Sequence, residues 1–311
     1  MTDDARTTEG ARSASEFASL EGVRVKDEHL LAVLAGTERL VEDGAMGTML
    51  QASGLLAPGA LPDLLSLSHP EAITAIHAAY VEAGAELLTT NTFRANRRQL
   101  PEGTSVAEVY AAAVGCARAA GARYVAGDIG PTGELLEPYG DLEHEEAYEL
   151  FAEQARAASA AGADLVVIET MADLAEAELA VRAAREACDL PVFATMTFAA
   201  GGRTMFGASP EDAVGTLVAA GAHAVGVNCS LGPDELLPIA ERMLARAACP
   251  VILKPNAGLP RMEGGQTVYD VTPEEFACAM ERALEAGVTI VGGCCGTSPA
   301  FIKELVRRSA C

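Results

Sequence analysis

Three of the eight cysteines in this 311-residue chain stand where chemistry is done. Cys229 closes the apolar segment Ala224-Val-Gly-Val-Asn-Cys229, and Cys294 and Cys295 form an adjacent pair in Gly292-Gly-Cys-Cys-Gly-Thr297. Three thiolates converging on one rim suit Zn2+, which takes cysteine sulfur tetrahedrally at ~2.3 Å. Three protein ligands leave a fourth position open, the arrangement of a catalytic site. Two plainer readings stand beside this one: a strained vicinal disulfide for the pair, and a small core hydrophobe for Cys229. Neighbouring residues of a strand point to opposite faces, so at least one of the pair must leave the core. Cys116, Cys188 and Cys278 fall within or at the ends of helical segments, Cys249 just before a strand and Cys311 at the terminus. They read as packing residues.

The elements that would bring the three thiols together follow from a weak internal repeat. Five segments share a helix end, a glycine and an apolar run; their glycines are Gly84, Gly121, Gly162, Gly221 and Gly287, with spacings of 37, 41, 59 and 66. The last two spacings read as double steps. A glycine there suits the left-handed residue that closes a helix before a strand. Apolar runs at 40–41, 86–90, 124–126, 165–168, 192–197, 224–227, 251–253 and 289–291 supply eight strands. They are short, continuous and rich in β-branched residues, as strands buried on both faces are. Between them lie Ala- and Glu-rich helical segments, with starts at Pro210, Pro233 and Thr272. Eight such units predict a single (β/α)8 TIM barrel, with a doubly wound sheet as the alternative. Residues 1–25 read as a polar, disordered tail and 26–311 as the barrel, with no second domain.

Barrel chemistry sits at the C-terminal ends of the strands. Those positions carry Asp43-Gly-Ala-Met-Gly-Thr48, Thr90-Asn-Thr-Phe93, Gly127-Asp-Ile-Gly-Pro-Thr-Gly133, Glu169-Thr170, Asn228-Cys-Ser230, Lys254-Pro-Asn-Ala-Gly258 and the cysteine pair.

Composition narrows the partners. Twenty-two Lys+Arg against 44 Asp+Glu give a formal charge of −22. That argues against nucleic acid and against an anionic membrane surface, both of which need a basic face. The N-terminus lacks the pattern of a signal peptide, and no apolar run is long enough for a membrane helix. A cytoplasmic location is expected, where thiols stay reduced.

The seven strand-end motifs, in this order, resemble the homocysteine S-methyltransferase family, and within it most closely the homocysteine-binding module of cobalamin-dependent methionine synthase. The resemblance covers about residues 28–305. It implies a (β/α)8 barrel with zinc at Cys229, Cys294 and Cys295 and the homocysteine sulfur as fourth ligand. Three thiolates leave a net negative charge that keeps this sulfur nucleophilic, and no catalytic side chain is implied beyond the activated substrate thiolate. Asp43 and Glu169 match residues that hold the substrate ammonium, and the amides around Gly44 and Ala45 match those near its carboxylate. An amino acid needs an anion at one end and N–H donors at the other. The plainer reading is a turn residue for Asp43 and a structural strand-end carboxylate for Glu169. Asn256 matches an asparagine that takes the open zinc position before homocysteine enters.

The methyl donor is less determined. Methylcobalamin is the leading reading, because Gly127-Asp-Ile-Gly-Pro-Thr-Gly133 and Asn256-Ala-Gly-Leu-Pro260 resemble the methionine synthase branch more than the others. With no folate, cobalamin or reactivation region in this chain, it is expected to arrive on a separate corrinoid protein. S-methylmethionine is the small-molecule rival. Betaine is disfavoured: its quaternary ammonium wants an aromatic cage, Trp is absent, and Thr170 stands where betaine enzymes carry Tyr. A non-catalytic subunit that binds homocysteine and zinc is the reading from a different class. Asp128 and Asn91 lie at the mouth and either contact substrate or fix loops. Arg94, Arg97 and Arg98 read as a solvated face or a docking spot for an acidic partner or a phosphate-bearing cofactor. His69 and His77 are expected at the surface or an interface.

Overall fold

Inward–outward alternation along eight short strands divides the apolar core in two. The computed structural model describes residues 19–56, 59–263 and 266–309. The strands are β1 (Leu40–Val41), β2 (Leu87–Thr89), β3 (Tyr124–Ile129), β4 (Leu165–Met171), β5 (Val192–Met196), β6 (Ala224–Asn228), β7 (Val251–Lys254) and β10 (Ile290–Val291). All pair in parallel in the order β1-β10-β7-β6-β5-β4-β3-β2. The Glu42–Leu87 bridge closes β2 on β1, supported by Glu86 N–H to Val41 O (2.9 Å) and Asp43 N–H to Leu87 O (3.0 Å). The result is the expected (β/α)8 barrel.

Residues of one parity, Leu40, Leu87, Ala126, Val167, Phe193, Ala224, Ile252 and Ile290, fill the barrel interior. The helix α1 (Glu28–Leu34) plugs its lower end with Leu30, Val33 and Leu34. The other parity, among them Val41, Leu88, Val125, Val166, Val225, Val251 and Val291, packs outward against the helices. A period of two puts alternate side chains on opposite faces, and both faces are covered. Gly84, Gly221 and Gly287 end their helices with φ of 102°, 107° and 109°, the left-handed cap the repeat requires.

Residues 19–25, assigned by composition to the tail, run beside the barrel floor. Leu20 and Val25 pack against the interior cluster, and Arg24 pairs with Asp189 at 3.0 Å. Positions 1–18 of that tail, and Cys311, lie outside the described residues. Strands β3 and β4 run three residues past their apolar runs, carrying Asp128 and Glu169 within them. A short antiparallel hairpin, β8 (Arg261–Glu263) and β9 (Gln266–Val268), follows β7. Sequence periodicity gave no sign of it, because Arg261, Met262 and Glu263 are all exposed and pack on no core.

His77 is not at the surface. It is fully buried on α4 (Pro70–Ala83), on the face shared by Ile73 and Tyr80, and burial pushes its imidazole down to about 4.

Candidate active site

One step further along the inward parity, the barrel lining turns polar. Two residues beyond Leu40, Leu87, Ala126, Val167, Phe193 and Ile252 stand Glu42, Thr89, Asp128, Glu169, Thr195 and Lys254. Lys254 is 4% exposed and lies between two carboxylates, Glu42 Oε2 at 2.9 Å and Glu169 Oε2 at 3.2 Å. Burial works against its charge, yet Glu169, Glu42 and Asp43 outweigh this and hold the ammonium well above its ordinary range. Burial raises Glu42, partly offset by Lys254. Neither Glu42 nor Lys254 was assigned a role from sequence. The parity of their strands was the available signal.

Asp43 faces the same space with both oxygens engaged. Thr89 donates its N–H to Oδ2 (2.9 Å) and its hydroxyl to Oδ1 (3.0 Å). Burial nevertheless pushes the Asp43 carboxyl up to about 7. Gly44 must be glycine: a Cβ there would lie 2.6 Å from Thr297 Oγ1 and 2.9 Å from the Tyr80 hydroxyl. The Ala45 N–H is donated to Thr297 Oγ1 at 3.1 Å, and Tyr80 donates to the Ala45 carbonyl at 2.9 Å. These bonds fix the Asp43–Ala45 turn against the loop of the cysteine pair.

The three cysteine sulfurs lie within 4.8 Å of one another, with Cys229 Sγ and Cys295 Sγ 3.9 Å apart. A tetrahedral ion with ~2.3 Å bonds to sulfur requires separations of about 3.8 Å, so the trio can hold a metal ion with little adjustment. All three are free thiols, which removes the vicinal disulfide as a description of the pair. The thiols share protons. Hydrogen bonds from Cys294 and Cys295 hold the Cys229 thiol low, while the same contacts push Cys294 and Cys295 up.

Backbone geometry presents these sulfurs. Cys229 and Ser230 adopt φ of 60° and 63°, and Thr170 at the end of β4 has φ of 63°. Such left-handed turns are uncommon for residues with side chains and need support. Asn228 provides it: its Oδ1 accepts from Thr170 N–H (2.9 Å) and the Thr195 hydroxyl (2.8 Å), and its Nδ2 donates to Thr170 Oγ1 (2.8 Å). The same Nδ2 lies 3.9 Å from Cys294 Sγ. The strand ends are cross-tied as well, Cys229 N–H to Lys254 O and Cys294 N–H to Pro255 O. Asn256 is 4% exposed, its Oδ1 has no partner among the described residues, and it helps hold the Cys229 thiol low. An orphaned buried oxygen beside the sulfurs fits a donor set that a cation completes. Tyr269 also meets this cluster: its ring would be 2.3 Å from a Cβ on Gly296, and burial and Cys295 push its hydroxyl up to about 12.

A cavity of about 300 Å³ joins these parts, lined by Asp43, Gly44, Ala45, Glu169, Lys254, Asp128 and all three cysteines. Asn91 lines it too, but its amide donates to Pro62 O (2.7 Å) and Ser66 Oγ (3.3 Å), so it fixes the loop. The basic cluster is neutralised internally: Arg97 pairs with Glu153 at 2.9 Å, and Arg98 with Glu134 (2.8 Å) and Glu146 (2.6 Å). That pairing fits the reading of a solvated face for those two. Cys116 and Cys249 are buried, Cys188 is half-buried and Cys278 is exposed, all apart from the trio.

Fold and site together define a (β/α)8-barrel protein with a three-cysteine group in its mouth that could hold a metal ion. The model of the homocysteine S-methyltransferase family matches residues 40–309, and the chain belongs to this family of methyltransferase enzymes. It is 33% identical over 308 residues to methionine synthase of Mycobacterium tuberculosis (strain ATCC 25618 / H37Rv), covering 91% of this chain and 26% of that protein. The methionine synthase of Mycobacterium leprae (strain TN) is 32% identical, with 91% and 25% covered. The chain thus spans about a quarter of the length of these curated relatives. Among solved structures it is similar to the metallated form of the homocysteine methyltransferase MmuM from Escherichia coli. The TM-score is 0.74 at 25% identity, over 90% of this chain and 100% of that one. The oxidised form of the same protein shares the fold with a TM-score of 0.75 at 24% identity.

Proposed function

We propose that this chain, with residues 26–311 as its homocysteine-binding barrel, transfers a methyl group to the sulfur of L-homocysteine, giving methionine in the cytoplasm. The observation that carries this reading is the shared cavity, in which three cysteine sulfurs within 4.8 Å of one another adjoin the carboxylates of Asp43 and Glu169. Cys229, Cys294 and Cys295 would hold Zn2+, with Asn256 beside the fourth position in the substrate-free protein. Bound there, Zn2+ would lower the pKa of an incoming thiol and orient its sulfur.

The protein's own groups set the substrate's position. Asp43 and Glu169, both lining the cavity, would hold the substrate ammonium. The backbone around Gly44 and Ala45 would meet its carboxylate, with the Ala45 N–H exchanging its Thr297 Oγ1 partner for the substrate. The thiol proton must leave before attack. The sulfur–carbon bond then forms as the methyl–donor bond breaks, in line, and the donor departs with the bonding electrons.

The donor proposed is methylcobalamin on a separate corrinoid protein. Its support is an exposed apolar set on the loops after β3, β5 and β7: Tyr139 (74% exposed), Met205 (81%), Phe206, Leu259 and Met262 (70%). All leave the C-terminal ends of strands, the side on which the cavity opens, and Tyr139 and Phe206 rings lie 5.9 Å apart. A small sulfonium donor needs no such surface, whereas a protein donor does. S-methylmethionine is the second reading: the match covers 100% of the Escherichia coli chain named a homocysteine methyltransferase, so a chain of this extent can carry that name with no donor-binding domain attached. The test is turnover by zinc-loaded protein with homocysteine, offered methylcobalamin or S-methylmethionine in parallel. Methionine from methylcobalamin alone supports the corrinoid donor, and methionine from S-methylmethionine alone replaces it with the sulfonium. No methionine from either, with zinc and homocysteine both bound, favours a binding subunit.

No helix among the described residues is long and apolar enough to cross a membrane. The seven described cysteines are all free, which suits a reducing compartment.

A further inference from the structure

The cavity holds more carboxylates than one ammonium requires, and most are already engaged. Asp43 accepts two hydrogen bonds from Thr89, Glu169 is paired with Lys254, and Asp63 Oδ1 accepts the Arg94 N–H at 2.8 Å. Asp128 differs. It is 4% exposed, and its Oδ1 has no hydrogen-bond partner among the described residues. Its backbone is fixed instead: the N–H donates to Thr90 Oγ1 (3.0 Å), and the carbonyl accepts from Thr92 (2.8 Å) and Tyr110 (2.6 Å). Strand parity directs the side chain inward, since Asp128 follows Ala126 of the barrel interior by two residues. A buried acceptor without a partner costs stability that a structural role would recover, so its persistence points to a ligand.

We infer that Asp128 is a substrate-binding residue, whose free carboxylate oxygen accepts a hydrogen bond from the α-ammonium of the amino-acid thiol. This rests on the homocysteine reading of the cavity and adds to it the group that selects an amino acid over a thiol lacking the amine. The surroundings agree: burial, with the Glu169, Asp63 and Asp43 carboxylates nearby and only Lys254 opposing them, pushes the Asp128 carboxyl well above its usual range. An arriving ammonium would supply the cation this carboxylate lacks and draw it back towards its charged form. Asp43 and Glu169 then supply field and shape, while Asp128 supplies the unpaired acceptor.

The test is calorimetric binding to the zinc-loaded full chain of homocysteine and of its analogue with hydrogen in place of the α-ammonium. Wild type, Asp128→Asn and Asp128→Ser are compared. A hydrogen bond between charged groups predicts a loss of about ten- to a hundredfold in homocysteine affinity for both variants. The desamino analogue should bind all three proteins within about twofold, which also certifies the fold. Unchanged homocysteine affinity, or equal weakening for both ligands, overturns the assignment while leaving the homocysteine reading in place. A wild-type chain that binds neither ligand overturns that reading, and the assignment with it.

Discussion

Lys254 Nζ lies 3.2 Å from Glu169 Oε2, so a fixed cation already rests on a carboxylate that faces the substrate cavity. The same ammonium reaches the fully buried Glu42 at 2.9 Å, making a charged triad across β1, β4 and β7. Burying three charges is tolerated only because they meet. Removing one partner leaves the others uncompensated at a cost of about 3–5 kcal/mol, whereas replacing a whole pair with apolar groups can be nearly neutral. Lys254→Met should therefore destabilise the chain by about that amount, and Glu42→Leu added to it should restore most of the loss. Urea unfolding of the two variants checks this; a cost for Lys254→Met below ~1 kcal/mol would show that the triad is not a linked unit.

Acid stability should depend on two buried histidines. Burial pushes His77 and His223 down to about 4, and His223 Nδ1 accepts the Val192 N–H at 2.9 Å in its neutral form. Their unfolded pKa is about 6.5, so below that pH the unfolded chain binds protons that the folded chain refuses. Stability falls between about pH 6.5 and 4, by roughly 3 kcal/mol per histidine on complete titration. His77→Leu should flatten this slope by one histidine's share, measured as the difference in unfolding free energy from the parent across that range. A parallel pH profile for variant and parent would remove His77 from the account.

Much of this was legible in the chain itself, for identifiable reasons. Strands such as β1 and β7 could be read because both faces are buried, which makes their residues continuously apolar. The cysteine rim followed because Cys229 and Cys294 stand two and three residues beyond the ends of such runs, at Val227 and Val291. Where the barrel interior becomes polar, that signal ends: β3 and β4 were cut short at Ala126 and Ile168, ahead of Asp128 and Glu169. The Glu42–Lys254 pair was hidden for another reason. Two opposite charges far apart in the chain look like surface residues until closure of the barrel places β1 and β7 around one interior. His77 was available from spacing, since Ile73, His77 and Tyr80 recur at helical intervals on the buried face of α4.

The thiol cluster should fail as a unit. Cys229→Ala or Cys295→Ala leaves two sulfurs where three were arranged, and each is expected to abolish zinc retention and turnover together. Metal content after dialysis, beside methionine formation, makes the comparison. A variant that keeps full activity would remove that cysteine from the site.

The apolar rim gives a donor-specific expectation. Met205→Glu and Phe206→Glu place charge on exposed positions outside the cavity lining. They should lower kcat/KM with a corrinoid protein by about tenfold, a typical scale for losing one interface anchor. Turnover with a small-molecule donor should stay unchanged. Equal loss with both donors would mean the rim shapes the cavity rather than docking a partner.

Cys229, Cys294 and Cys295 are expected to present one open coordination position to the homocysteine sulfur. Zinc K-edge absorption spectroscopy of the zinc-loaded protein, with and without homocysteine, reads this most directly. Three sulfurs at ~2.3 Å and one oxygen or nitrogen are expected without substrate, changing to four sulfurs when homocysteine binds. A zinc shell that keeps three sulfurs at saturating homocysteine, or that is mostly oxygen and nitrogen throughout, would contradict it.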